Sequence, residues 1–184
     1  MPDPGHPVSG PGGDALTVRV EILNTNGSVK WKKKVALDSL EDSVSTPLRM
    51  EYPPGLTPVH FIRLKLTHGT RVLSENSYWR GTKEGDYRAL RGLPKVLLDS
   101  KMHVDCRDGQ WILTTTLRNT SRQPALMVRL TAVREKSGDG ILPAFHSDNY
   151  ITLMPGEHRT VRTEITDADT RGERPRIVVT GFNV

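Results

Sequence analysis

The sequence predicts an all-β protein built from antiparallel sandwiches. Apolar residues recur with a period of two in short runs. Turn residues interrupt those runs at intervals of about eight to twelve residues, the spacing of Greek-key sandwiches. No amphipathic helical run of useful length intervenes.

The 184 residues exceed the roughly 100–150 typical of one domain, so either one large all-β domain or two smaller ones fits. A charged fraction of 26% beside a hydrophobic fraction of 35% leaves enough apolar surface for a core and argues against a disordered chain. The net charge of +5 is spread along the sequence and reads as solubility rather than as a patch for acidic partners. A single cysteine, Cys106, excludes an intrachain disulfide, so packing and strand pairing must supply the stability. No run approaches the roughly 20 apolar residues of a membrane span, and no membrane association is expected. The N-terminus has no apolar run of signal-peptide type, so an export signal, if the parent protein has one, is expected upstream.

Met1 to Asp14 carries four prolines and four glycines, a composition that opposes helix and strand alike and predicts a disordered segment or linker. From Leu16 the pattern changes. Leu16, Val18, Val20 and Ile22 alternate with Thr17, Arg19 and Glu21 as in a strand with one buried face. Asn24-Thr25-Asn26-Gly27 supplies a hairpin turn, and Ser28 to Leu37 is the returning strand. Pro53-Pro54-Gly55 and Pro58 break the chain before Ile62, Leu64 and Leu66, a strand that stops at His68-Gly69. Arg71 to Trp79 is the next strand. The polar, glycine-interrupted stretch from Arg80 to Pro94 marks a domain boundary, giving units at 15–91 and 92–184. Beyond it, Trp111, Leu113, Thr115 and Leu117 share one strand face, and Asn119 to Pro124 turns the chain into a strand from Ala125 to Val133. Pro155-Gly156-Glu157 turns into His158 to Ile165, with Val161, Thr163 and Ile165 inward, and Arg176 to Thr180 is the last strand.

Three segments together carry a resemblance to a known family. Ile141-Leu142-Pro143-Ala144-Phe145-His146-Ser147-Asp148-Asn149-Tyr150, with Leu153-Met154-Pro155-Gly156-Glu157, is similar to the last immunoglobulin-like domain of glycoside hydrolase family 2 enzymes of the exo-β-glucosaminidase and endo-β-mannosidase groups. Pro175-Arg176-Ile177-Val178-Val179-Thr180-Gly181-Phe182-Asn183 resembles the terminus of the same enzymes, with Phe182 where they carry Trp. Ser74-Glu75-Asn76-Ser77-Tyr78-Trp79 resembles the strand that closes the preceding immunoglobulin-like domain. The resemblance implies two immunoglobulin-like antiparallel β-sandwiches in tandem. It also implies a (β/α)₈ catalytic barrel elsewhere in a larger polypeptide, and that barrel is the expected partner. Because the Gly/Pro-rich opening stands where the family's domain has its first strand, the first sandwich is expected to lack that strand and to leave an edge for another strand to cover.

Retaining glycoside hydrolysis needs two carboxyl groups about 5–5.5 Å apart. In the family both come from the barrel, so no catalytic residue is expected here, and Glu21, Glu75, Glu84 and Glu157 inherit no such role. The candidate substrate-binding residues are Trp79, His146, Asp148, Asn149 and Tyr150, which could bond sugar hydroxyls or stack on a ring. The competing reading makes Ser147 to Tyr150 an Asx-type turn and Trp79 a core or interface anchor; it is the favoured one, since short polar side chains before strands usually serve the turn. Lys32, Lys33 and Lys34 beside Trp31 alternate faces in a strand, so nucleic acid is not an expected partner; edge-strand lysines commonly block aggregation. The six histidines show no zinc spacing, so neither metal nor other cofactor is expected. Cys106 reads as a small packed residue, and Asn119-Thr120-Ser121 as a turn rather than a glycan acceptor. The expected function is a non-catalytic accessory region of such a hydrolase acting on β-linked glucosamine or mannose. The alternatives are an autonomous carbohydrate-binding module or a protein-binding adhesion or scaffold domain.

Overall fold

The computed structural model describes residues 16–37 and 44–184; the expected linker at 1–14 lies outside them. Every strand pairing is antiparallel. The N-terminal half contributes one sheet of four strands: β1 (Leu16–Asn24), β2 (Val29–Leu37), β3 (Val59–His68) and β4 (Arg71–Gly81), in the order β2-β1-β3-β4. Leu16 to Ile22 supplies the alternation that makes β1 a central strand, and the Asn24–Gly27 turn returns the chain as β2 at the edge. There Lys32, Lys33 and Lys34 decorate a strand with one unpaired side among the described residues, where their charges oppose pairing with another chain.

A 3₁₀ turn at Arg88–Gly92 leads to the C-terminal half. Here β5 (Leu98–Arg107), β6 (Gln110–Asn119), β8 (Phe145–His146) and β10 (His158–Thr166) form a sheet in the order β5-β6-β10-β8. The second sheet joins β11 (Pro175–Thr180), β7 (Ala125–Arg134) and β9 (Ile151–Leu153) in the order β11-β7-β9. Leu117 and Val161 from the first sheet meet Val128, Leu130, Ile151 and Leu153 from the second, all nearly inaccessible, and this is the sandwich core. Val161, Thr163 and Ile165 point inward as the alternation of β10 requires.

The strand β5 was not anticipated from the sequence. Its partner β6 covers one side only, most of its residues are exposed, and its charges blur the period of two. Cys106 lies on this strand and is exposed, which corrects the expectation that it packs.

The two halves share a third apolar cluster. Leu23, Val59 and Phe61 of the N-terminal sheet pack with Leu90, Leu126 and Met154, and Trp79 and Leu93 lie against them. The connecting segment is therefore buried through Leu90 rather than free, although its composition is that of a linker.

Candidate functional site

The face of β4 that carries Glu75, Ser77 and Trp79 is half-buried, while Asn76, Tyr78 and Arg80 are exposed. Period-two projection thus turns Glu75 and Trp79 toward the C-terminal half. Opposite them stands the Ser147–Tyr150 loop between β8 and β9. Together they line a concavity of about 270 Å³ that holds Trp79, Asp148, Asn149 and Tyr150, with Glu75, Met127 and Arg159. Four of the five candidate residues are brought together. His146 stands apart: its Nδ1 lies 2.8 Å from the Thr163 hydroxyl, and burial pushes its pKa below the usual histidine value.

Each member of the group has a definite occupation. The Asn149 side chain replaces a strand residue, because the Leu130 N–H donates to its Oδ1 at 2.8 Å and its Nδ2 donates to the Leu130 carbonyl at 3.0 Å. Its amide is consumed by Leu130 of β7, a tertiary contact rather than the local backbone of an Asx turn, and this leaves Asn149 a positioning role. The same Oδ1 accepts from the Tyr150 N–H, and Tyr150 adopts a left-handed backbone, φ 54°. Its ring is exposed, with the Arg129 guanidinium 6.0 Å from its centroid. Trp79 meets Phe182 edge to face, with centroids 6.0 Å apart. A second, more apolar concavity of about 560 Å³ opens beside Trp79, walled by Tyr87, Leu90, Arg91 and Phe182.

The carboxylates are tied to guanidinium groups. Asp148 pairs with Arg159 at 3.3 Å, and Arg159 reaches Glu75 at 3.2 Å. Arg63 binds Glu75 at 2.6 Å and Glu157 at 2.8 Å, and Lys65 stands 3.5 Å from Glu75. Burial raises the Glu75 pKa, but the Arg63 hydrogen bond and the charges of Arg63, Lys65 and Arg159 more than offset it and hold the group below its usual 4.5. Glu75 and Arg159 were missed as site members from the sequence. Glu75 shares strand parity with Trp79 and was legible in principle, whereas Arg159 arrives from β10 and carries no local signal. Among the described residues no group of three or more His, Cys, Asp or Glu is placed to hold a metal ion, and no helix is long and apolar enough to cross a membrane.

Outside this surface, two more asparagines are structural. The Asn119 Nδ2 donates to the carbonyls of Gln123 and Leu153, and the residue is wholly buried. The Asn183 Oδ1 accepts from the Leu126 N–H while its Nδ2 donates to the carbonyls of Pro94 and Pro124.

Residues 76–184 match the family model described as the exo-beta-D-glucosaminidase Ig-fold domain. The chain belongs to this family. The match begins within β4 and takes in both the Trp79 strand and the Ser147–Tyr150 loop. Among relatives of this Ig-fold domain, an exo-beta-D-glucosaminidase of Streptomyces avermitilis is 29% identical over 91% of this chain and 21% of its own length. One of Arthroderma benhamiae is 30% identical over 92% of this chain and 21% of its own. The crystal structure of the Amycolatopsis orientalis exo-chitosanase CsxA aligns with TM-score 0.83 and 24% identity, covering 92% of this chain and 23% of that one, a likeness of fold. The Ig-fold chain thus spans about a fifth of the length of the relatives it matches.

Proposed function

We propose that this chain is a non-catalytic accessory region of a larger family 2 glycoside hydrolase of exo-β-glucosaminidase type. In this reading two immunoglobulin-like units, residues 15–91 and 92–184, buttress a (β/α)₈ barrel that does the chemistry on β-linked glucosamine or mannose. The observation that carries the reading is the state of the acids in the central concavity. A general acid for glycoside cleavage needs a raised pKa, and an acid pair needs room for the sugar between its members. Glu75 is shifted the other way, and Asp148 faces Arg159. The exposed aromatic surface around Trp79, with Tyr87 and Phe182, is where the barrel would seat.

The chain alone, assayed on chitosan oligosaccharides and on aryl β-glucosaminides and β-mannosides, is expected to show no turnover above background. Turnover there overturns the non-catalytic reading.

The grouping of Trp79, Asp148 and Tyr150 in one concavity favours a second reading, in which this surface holds an oligosaccharide. Trp79 and Tyr150 would offer ring faces and Asp148 an acceptor for hydroxyls. Titration with glucosamine and mannose oligomers separates the two. Saturable binding lost in W79A supports the sugar site, and its absence leaves the accessory role.

A further inference from the structure

On the opposite face of the N-terminal sheet, a polar group lies at the end of a row that carries the buried Val20, Ile22 and Ile62. His60 on β3 stands directly opposite Asn24 on β1 and Arg80 on β4, and directly opposed residues project to the same face. The Asn24 side chain is spent locally, donating to the Gly55 carbonyl and accepting from the Thr57 N–H at 2.9 Å. The His60 side chain is not. It is 2% exposed, yet neither ring nitrogen has a hydrogen-bond partner among the described residues. A buried polar group left in that state costs stability, so its retention calls for an explanation.

The imidazole borders a cavity of about 470 Å³, a volume within the usual range for small-molecule sites. Arg80 lines the same cavity, and none of the described residues lining it is acidic. Tyr52 stands edge-on to the imidazole at 5.8 Å, and Tyr52 and Leu56 offer apolar wall.

We propose that this cavity binds the carboxylate of a small organic acid, with one oxygen on the Arg80 guanidinium and the other on a ring N–H of His60. The guanidinium presents a planar fork that matches a carboxylate, and a carboxylate is the group that can pair with Arg80 and His60 at once. A hydroxyl alone would satisfy the imidazole and leave the guanidinium to water. Burial lowers the His60 pKa from its usual 6.5, the Thr57 backbone raises it in part, and the charge of Arg80 adds a smaller lowering. An anion between the two reverses the Arg80 effect and favours the imidazolium.

The test is side-chain NMR of His60 in the whole chain, titrated with sodium glucuronate, sodium acetate and glucosamine at matched ionic strength. Both acids are expected to move the His60 ring signals saturably and to raise the His60 pKa, while glucosamine leaves them still. Arg80 is exposed, so R80Q should fold normally, which its thermal midpoint checks, and should weaken acid binding about tenfold. The proposal is overturned if the acids give no saturable shift at His60, if glucosamine acts as strongly as glucuronate, or if R80Q binds the acids unchanged. Because the readout sits on the far side of the sheet from Trp79, its outcome is independent of the function proposed above.

Discussion

Three side-chain amides carry contacts that backbone ladders would otherwise supply. Asn183, itself buried, joins the connecting segment at Pro94 to the strand β7 through Leu126. Truncation in N183A strands the Leu126 N–H and two proline carbonyls, and unmade buried hydrogen bonds are costlier than formed ones are valuable. A loss of about 2–4 kcal/mol is expected in urea unfolding of N183A. The titrating residues make a separate prediction. The folded-state pKa of His60 lies below 6.5, so the unfolded chain binds more protons there, and stability falls as pH drops below 6.5. The folded-state pKa of Glu75 lies below 4.5, so its contribution is present above that value and is lost as pH falls through the folded pKa. Urea midpoints measured against pH should therefore show a shallower decline below pH 6.5 in H60Q, and a shallower decline below pH 4.5 in E75Q. Of the site residues, Trp79 and Tyr150 were legible from their chemistry, whereas the hold of Asn149 on Leu130 of β7 was not. Glu75 was legible only as a residue on the Trp79 face, and its pairing with Arg159 was not, because an ion pair between distant strands leaves no trace in local spacing.

The β1–β2 hairpin illustrates what an element owes to its neighbours. Asn24 to Gly27 marks the turn by residue type, and Gly27 takes φ 80° as such turns require. What local sequence does not reveal is that a Cβ on Gly27 would lie 3.0 Å from Pro155 of the C-terminal half. Gly55 has a similar φ of 76° but open space around it. Alanine at Gly55 should thus cost about 1 kcal/mol from backbone strain alone. Alanine at Gly27 should cost more, about 2–3 kcal/mol, because contact with Pro155 adds to the strain. Chemical denaturation of G27A beside G55A checks the difference; equal losses would mean that the hairpin tip does not press on Pro155. Strands with one buried face, such as β6 and β10, were legible because burial enforces alternation. The edge strand β5 and the two short strands β8 and β9 were not, since few of their residues are constrained to one face or they are too short to show a period.

At the scale of the whole molecule, the shared cluster around Phe61 and the Arg63–Glu157 pair fasten the N-terminal sheet to the sandwich. Phe61 is fully buried between them, and its truncation in F61A should cost about 3–5 kcal/mol. Calorimetry of the chain should give one cooperative transition, since neither half keeps its apolar face covered without the other. Two well-separated transitions would show instead that the cluster contributes little to cooperativity.

The sequence by itself determined the class of fold, the main turns and the family, because each is written in periodicity or in short motifs that neighbouring residues enforce. Only the tertiary structure decided which strands share a sheet, that the glycine-interrupted connection is packed through Leu90, that Cys106 is exposed, and that Glu75, Asp148 and Arg159 meet in one network. Those outcomes depend on contacts between residues tens of positions apart. Charge and polarity along the chain name the partners available, and packing chooses among them.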